Sequence, residues 1–291
     1  MYLALKPPLL AGLACLVSWS TAAQPPVSQG TALAAQREET VRIPAPGATM
    51  VATVMRPPGE DRRPLVVINH GSPADGSQRL TMARPRYPVL TSWFVERGYV
   101  VVLPQRRGYG QTGGSWAETY DSCESPDYYG AGLESASDIE AAIAFMHNQP
   151  FVAADRTIVV GESAGGWATI ALSSLNPRGV AGMVNFAGGR GGQQTLPSGD
   201  IGNCAPDALV KAAARYGATA RVPMLWIYTK NDSFFAPALA RRMVDAYDAA
   251  GGHASLHALA AFGSDGHMLV SSNSGVAMWS RALANFLGGL K

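Results

Sequence analysis

A serine with glycines two positions away on either side, Gly161-Glu162-Ser163-Ala164-Gly165, follows the apolar run Thr157-Ile158-Val159-Val160 and precedes a helical pattern. Strand, tight turn and helix in that order lift the serine hydroxyl clear of a sheet edge. Side chains flanking such a turn would collide, so glycine is favoured there. The helix beyond aims its first amides and its positive end at the hydroxyl. The chemistry that suits this arrangement is nucleophilic attack on an acyl carbon. A free hydroxyl does this poorly at neutral pH unless a base and an orienting group activate it. The plainer alternative is a glycine-rich connection between a strand and a helix.

Where serine occupies such a turn, an acid and then a histidine follow it along the chain. Three histidines do: His253, His257 and His267. His267 sits in the polar, glycine-bounded loop Gly263-Ser264-Asp265-Gly266-His267 after the last strand pattern, and is the candidate base. His257 falls inside a strand pattern, and His253 in a helix-to-strand connection. Asp232 closes the run Trp226-Ile227-Tyr228-Thr229-Lys230-Asn231-Asp232, at the carboxyl end of a strand, where open α/β sheets place functional groups. It is the candidate orienter. Asp207 lies where a helix starts and reads as a cap. Asp265 is too close to His267 in sequence to approach the ring from behind. An oxyanion formed in acyl transfer needs fixed amide donors. Ala164, next to the nucleophile, supplies one. His70-Gly71-Ser72-Pro73, after an earlier strand, supplies the other: Gly71 lets the backbone turn, Ser72 is the candidate donor, and Pro73 has no N–H. His70 reads as support for this loop, with a second catalytic histidine as the alternative.

These residues need elements to position them. Apolar runs alternate with helical patterns, which predicts βαβ units and a mostly parallel sheet. Residues 39–43 and 49–55, separated by Pro44-Ala45-Pro46-Gly47, read as an antiparallel hairpin. Buried strands are expected over 64–70, 99–104, 156–160, 180–186, 222–228 and 255–260. Helices are expected over 89–97, 133–147, 164–175, 237–250 and 278–287. Residues 105–130 and 188–202 read as long loops, and loops of that length usually carry function. The first holds Tyr109, Trp116, Tyr120, Tyr128 and Tyr129. Tyr109, Trp116 and Gly71 are the candidate substrate-binding residues, with ordinary loop packing as the alternative for the aromatics. No inserted stretch has the length of a helical lid, so small or soluble substrates are expected.

The chain has 291 residues, with 23 Lys and Arg against 21 Asp and Glu, a formal charge of +2. That balance gives no argument for nucleic acid or an anionic membrane surface. Arg79, Arg84 and Arg86, with Arg106 and Arg107 further on, read as a solvated face, with recognition of a substrate carboxylate as the alternative. Lys6, the apolar run from Leu9 to Val17 and the small residues Ser20 to Ala23 have the layout of a secretory signal peptide over 1–23. That apolar stretch falls short of the ~20 residues of a membrane span. Residues 24–37 read as a flexible leader and 38–291 as one catalytic domain. Loss of the signal removes Cys15 and leaves Cys123 and Cys204, which in an oxidising compartment either pair or stay as two thiols. No spacing resembles a metal site.

His70-Gly71-Ser72-Pro73, Arg107-Gly108-Tyr109-Gly110, Gly161 to Gly165, Asn231-Asp232 and Asp265-Gly266-His267 occur in that order. Together they resemble the α/β-hydrolases of the dienelactone hydrolase group, close to the catalytic domains of prolyl-oligopeptidase-type peptidases. The resemblance spans roughly residues 41–287. It implies a single α/β-hydrolase domain with an eight-stranded sheet, helices on both faces, hydrolysis through an acyl-enzyme, and no cofactor. One departure is that dienelactone hydrolase itself uses cysteine where this chain has Ser163. The expectation is therefore a secreted or periplasmic hydrolase of small carboxylic esters. It has no nucleic-acid partner and no membrane association once the signal is cleaved. A serine peptidase or amidase and a non-catalytic module of the same fold are the alternatives.

Overall fold

Runs such as Leu65-Val66-Val67-Ile68 and Val100-Val101-Val102-Leu103 are apolar at every position. In a strand, successive side chains point to opposite faces, so such runs are stable only where both faces are covered. The computed structural model, which describes residues 37–195 and 201–290, shows this arrangement. Strands β1 (Arg37–Ala45), β2 (Ala48–Arg56), β3 (Arg63–Asn69), β4 (Val100–Gln105), β5 (Val152–Glu162) and β6 (Val180–Phe186) belong to one sheet. The short β7 (Gln193–Thr195) and β8 (Ile201–Asn203) pair separately, and β9 (Met224–Thr229) and β10 (Ala254–Leu259) complete the main sheet. Its eight strands run in the order β1-β2-β4-β3-β5-β6-β9-β10. The β1–β2 and β2–β4 pairs are antiparallel and the rest parallel.

Helices cover both faces: α1 (Pro88–Val95), α2 (Tyr128–His147), α3 (Ala164–Ser173), α4 (Pro206–Gly217), α5 (Pro237–Ala249) and α6 (Val276–Gly288). Leu65, Val67, Val100, Val102 and Val159 face Ile139, Trp167, Tyr216 and Tyr247 of α2 to α5. Their neighbours Val66, Ile68, Val101, Leu103 and Val160 face Phe94 of α1 and Trp279 and Leu283 of α6. Two dry layers thus clamp the strands and fix their register. Asn69 lies level with Gly161, Gly161 with Asn185, and Asn185 with Trp226. The carboxyl ends of β3, β5, β6 and β9 therefore finish at one edge. Strand order reverses about β3 there, since β4 lies on one side and β5 on the other, and such a switch point leaves a crevice for ligands.

The structure differs from expectation in four places. Helix α4, of which only a start near Asp207 is expected, runs from Pro206 to Gly217, because Leu209, Ala212, Ala213 and Tyr216 form one buried face. Helix α2 begins at Tyr128 rather than 133, because the Asp127 side chain caps it by accepting from the Gly130 amide at 2.8 Å. Strand β5 reaches back to Val152, because its early residues pair with Arg63 and Pro64 of β3. Part of the glycine-rich stretch 188–202 is ordered as β7, which pairs with β8. The expected signal segment and residues 24–36 of the expected leader lie outside the described residues; Arg37 already belongs to β1. Among the described residues no helix is long and apolar enough to cross a membrane.

Candidate active site

Strand β5 ends at Glu162 and α3 begins at Ala164, which leaves Ser163 alone to make the turn. Its φ of 53° and ψ of −120° put a non-glycine residue in strained backbone. The flanking glycines are required by close approach. A Cβ on Gly161 would meet the carbonyl of Gly165, and one on Gly165 would meet the carbonyls of Asn69 and His70. The Ser163 amide donates to Phe186 O at 3.0 Å and its carbonyl accepts from Trp167 at 2.9 Å, which pins the turn. Its side chain makes no capping bond to the helix. Ser163 Oγ instead lies 3.0 Å from His267 Nε2.

His267 arrives on the loop after β10. Its Nδ1 lies 3.1 and 3.2 Å from the two oxygens of Asp232, which sits just past β9. Asp232 is held by the amides of Phe234 and Phe235, both donating to Oδ1 at 2.9 Å. Asp265 braces the two loops against each other, accepting from the His267 amide at 3.0 Å and from Ser233 Oγ at 2.7 Å. The Phe234 ring packs 4.6 Å from the imidazole. Burial alone would lower the His267 pKa. The Asp232 hydrogen bond and charge, with Glu162 and Asp265, more than offset this, so the group sits above the ordinary imidazole value. Of the other candidates, His253 is exposed, His257 is half-buried on the edge strand, and Asp207 is exposed and paired with Arg242.

The loop after β3 is held from beneath. His70 Nδ1 donates to the Gly71 carbonyl at 2.7 Å, and His70 Nε2 accepts from the Arg106 amide at 3.1 Å. This assigns the neutral tautomer with its proton on Nδ1. Burial, and then the Arg106 charge, push the His70 pKa down to about 3. His70 is therefore uncharged at neutral pH and supports the loop. The Gly71 amide donates to the Tyr87 hydroxyl at 3.1 Å. Neither Ser72 nor Ala164 has an acceptor for its amide among the described residues. Both residues line the cavity at Ser163.

Two cavities meet at Ser163. One of about 480 Å³ is lined by Met82, Pro85, Tyr87, Phe234 and Met268, with Gly71, Glu162 and His267 at its base. The other, of about 450 Å³, is lined by Arg79, Trp116, Tyr120, Arg190 and Gln193, with Ala164 at its base. Gly71 and Trp116 thus border the cavities. Tyr109 does not: it is wholly buried, because its hydroxyl donates to Glu118 at 3.0 Å and lies 3.1 Å from Ser72 Oγ. Tyr128 is also buried, and Tyr129 is half-buried, stacking on Tyr216. Arg106 is not on a solvated face. It is fully buried, donates to the His70 carbonyl at 2.8 Å, and shares Glu118 with Arg190. Arg84 bonds Thr40 and Thr53, Arg86 pairs with Glu38 and Arg107 with Asp138, while Arg79 lies over the Trp116 ring. Cys123 and Cys204 form a disulfide with Cα atoms 5.6 Å apart, tying the loop that carries Trp116 to the end of β8. Sequence reasoning missed Glu162, Tyr87 and the trio Arg106, Glu118 and Arg190. Glu162 could have been noticed inside the serine motif; the others carry no local signal.

The sheet order, the serine turn and the strand-end site define an α/β-hydrolase fold of the type shared by dienelactone hydrolases and prolyl oligopeptidases. Residues 85–183 match the model of the prolyl oligopeptidase family. The chain is 28% identical over 145 residues to dipeptidyl-peptidase 5 of Porphyromonas gingivalis, a match covering 49% of this chain and 20% of that protein, so it spans about a fifth of that relative. Among solved structures, a Klebsiella pneumoniae protein assigned as a dienelactone hydrolase superposes with a TM-score of 0.60 at 16% identity, covering 88% of this chain and 99% of that one. An esterase from Pyrococcus furiosus gives 0.59 at 14% identity, covering 88% and 91%. The acylaminoacyl peptidase of Pyrococcus horikoshii gives 0.59 at 14% identity, covering 87% of this chain and 41% of that one.

Proposed function

We propose that this chain hydrolyses carboxylic esters through an acyl-enzyme on Ser163, with His267 as general base and Asp232 as its orienter. The observation that carries the reading is the 3.0 Å separation of His267 Nε2 from Ser163 Oγ, with the other ring nitrogen on Asp232. In this reading Ser163 Oγ attacks the ester carbonyl carbon as its proton passes to His267 Nε2. The carbonyl oxygen, now negative, is taken up by the Ala164 and Ser72 amides. The C–O bond to the alcohol breaks as His267 returns the proton to the leaving oxygen. Water, deprotonated by the same imidazole, then attacks the acyl carbon; the bond to Ser163 Oγ breaks as His267 passes that proton to Oγ, and the carboxylic acid leaves. Every step uses groups of this chain, and none calls for a cofactor. The cavity beside His267 suits the alcohol, and the cavity that has Ala164 but not His267 suits the acyl group. The esterase and dienelactone hydrolase likenesses, which extend over nearly the whole of those chains, favour esters. The layout of residues 1–23 and the Cys123–Cys204 disulfide support a periplasmic or secreted location.

A peptidase or amidase activity is the second reading, favoured by the prolyl oligopeptidase family match and by the relative dipeptidyl-peptidase 5. Labelling with a fluorophosphonate, followed by paired p-nitrophenyl ester and p-nitroanilide substrates of the same acyl group, tests both. The ester reading expects a label on Ser163 and the larger kcat/KM on the ester. Faster anilide cleavage moves the assignment to peptidase, and an unlabelled folded chain removes the enzyme reading.

A further inference from the structure

A second carboxylate lies within the site. Glu162 occupies the variable position of the serine turn and is buried at the base of the apolar cavity. Its Oε2 accepts from the Tyr87 hydroxyl at 2.8 Å, and Tyr87 in turn accepts from the Gly71 amide at 3.1 Å. Its Oε1 lies 3.8 Å from His267 Nε2, the nitrogen that faces Ser163. The place of this side chain is tightly defined: a Cβ on Gly71 would meet Glu162 Oε2. Tyr87 starts α1 with a left-handed φ of 40°, a strained position from which its hydroxyl reaches both partners.

We infer that Glu162 is a positioning residue for the base, acting on His267 from the Ser163 side, and that Tyr87 ties it to the loop bearing the oxyanion donors. The inference rests on the serine-hydrolase reading above. When Ser163 Oγ gives its proton to His267 Nε2, the imidazolium formed lies between two carboxylates, Asp232 at Nδ1 and Glu162 at Nε2. Among the described residues, the charged groups facing His267 are Asp232 past β9, Asp265 on its own loop and Glu162 at the end of β5, and none of these is basic. Facing Glu162 are His267, Tyr87 and, further off, Asp232. Burial raises the Glu162 pKa, and His267, Tyr87 and the Gly71 amide act against that rise. Burial and the Glu162 charge hold the Tyr87 phenol protonated, so it stays a donor to Glu162 and leaves a lone pair for Gly71. The Gly71 amide is thereby turned to Tyr87, which leaves the Ser72 amide for the oxyanion.

Two near-isosteric variants separate the parts. Glu162→Gln removes the charge and keeps an acceptor for Tyr87, whereas Tyr87→Phe keeps the charge and removes the anchor. The assay is hydrolysis of p-nitrophenyl acetate across pH 5–9, with circular dichroism to confirm folding. For Glu162→Gln the acid limb of kcat/KM is expected to move down by about one pH unit, the scale for loss of a carboxylate 3.8 Å from the ring. A purely structural Glu162 would not move it. For Tyr87→Phe, kcat is expected to fall about tenfold with little change in KM, since a loosened oxyanion donor weakens only the transition state. Should Glu162→Gln not fold, Glu162→Asp, which draws the charge back, carries the same test with a smaller downward shift. An acid limb unmoved in the folded Glu162 variant, or an unchanged kcat in Tyr87→Phe, overturns the inference. Wild-type protein that neither takes a fluorophosphonate nor cleaves the ester is instead a failure of the hydrolase reading.

Discussion

Glu118→Gln removes the carboxylate charge from a fully buried ionic group. Glu118 is 1% exposed, and its two cationic partners Arg106 and Arg190 are 0% and 3% exposed, so none can be rehydrated in place. Arg190 Nη2 donates to Glu118 Oε2 at 2.7 Å, Arg106 bonds both carboxylate oxygens, and the Tyr109 hydroxyl donates at 3.0 Å. A glutamine keeps the shape but sets an NH2 against guanidinium donors and leaves two buried cations without an acid. Removing one partner of a buried pair costs about 3–5 kcal/mol. That is a large share of the roughly 5–15 kcal/mol that holds a domain folded. For a chain of this size it corresponds to a fall in Tm of roughly 6–20 °C. The cost should depend on pH in a defined direction. Burial alone would raise the Glu118 pKa, but Arg106 and Arg190 hold it well below the carboxylate range. A depressed folded-state pKa means that the stabilisation is present above the unfolded value, about 4.3, and is lost as pH falls toward the folded one. Urea unfolding followed by tryptophan fluorescence at pH 7 and at acid pH measures both effects. The variant should be less stable by the stated amount at pH 7, and the gap should narrow below about pH 4. A loss under about 1 kcal/mol at pH 7, or a gap that does not shrink in acid, would refute this account of the trio. Ester hydrolysis should also suffer, because Arg106 holds the His70 carbonyl and Tyr109 touches Ser72.

Ser163→Ala and His267→Ala should each lower turnover by at least about 10³-fold in a p-nitrophenyl ester assay. A loss under about tenfold for His267→Ala would move the base elsewhere. The kcat/KM profile of the wild type should fall on the acid side with an apparent pKa above the ordinary imidazole value, because the raised group must be neutral to accept the serine proton. An acid limb centred below about pH 6 would contradict this. Reduction should add two daltons to the intact mass of the oxidised protein and lower its stability by about 2–4 kcal/mol, given that the disulfide closes 81 residues of chain. Two alkylatable thiols before reduction would refute the pairing.

Much of the fold is legible because strand and helix signals are local. The unbroken apolar runs at Leu65 to Ile68 and Val100 to Leu103, rich in β-branched residues, read as strands buried on both faces, and the structure places them at the centre of the sheet. Boundaries were less legible. Residues 128–132 include two glycines and two tyrosines, poor helix formers, so the start of α2 is hidden until the Asp127 cap and the packing of Tyr128 against Tyr120 come into view. The aromatic loop misled for a related reason. Composition cannot say which ring faces inward, so Tyr109 and Trp116 read alike, although one braces Ser72 and the other lines a cavity.

Ser163, Asp232 and His267 could be nominated from sequence because each lies at a strand end or in a glycine-bounded loop, and the chain order of such sites is constrained. What only the tertiary structure decided is how charge is distributed around them. Glu162 meets Tyr87 across 75 residues, and Arg106 meets His70 across 36 and, with Arg190, encloses Glu118. Ion pairs and buried hydrogen bonds depend on angstrom distances between remote segments and have no period along the chain. Hydrophobic burial is summed over many residues and does leave a period, so the sequence by itself determined the layered sheet and the serine turn, while the partners of Glu162 and Glu118 emerged only once the strands were laid side by side.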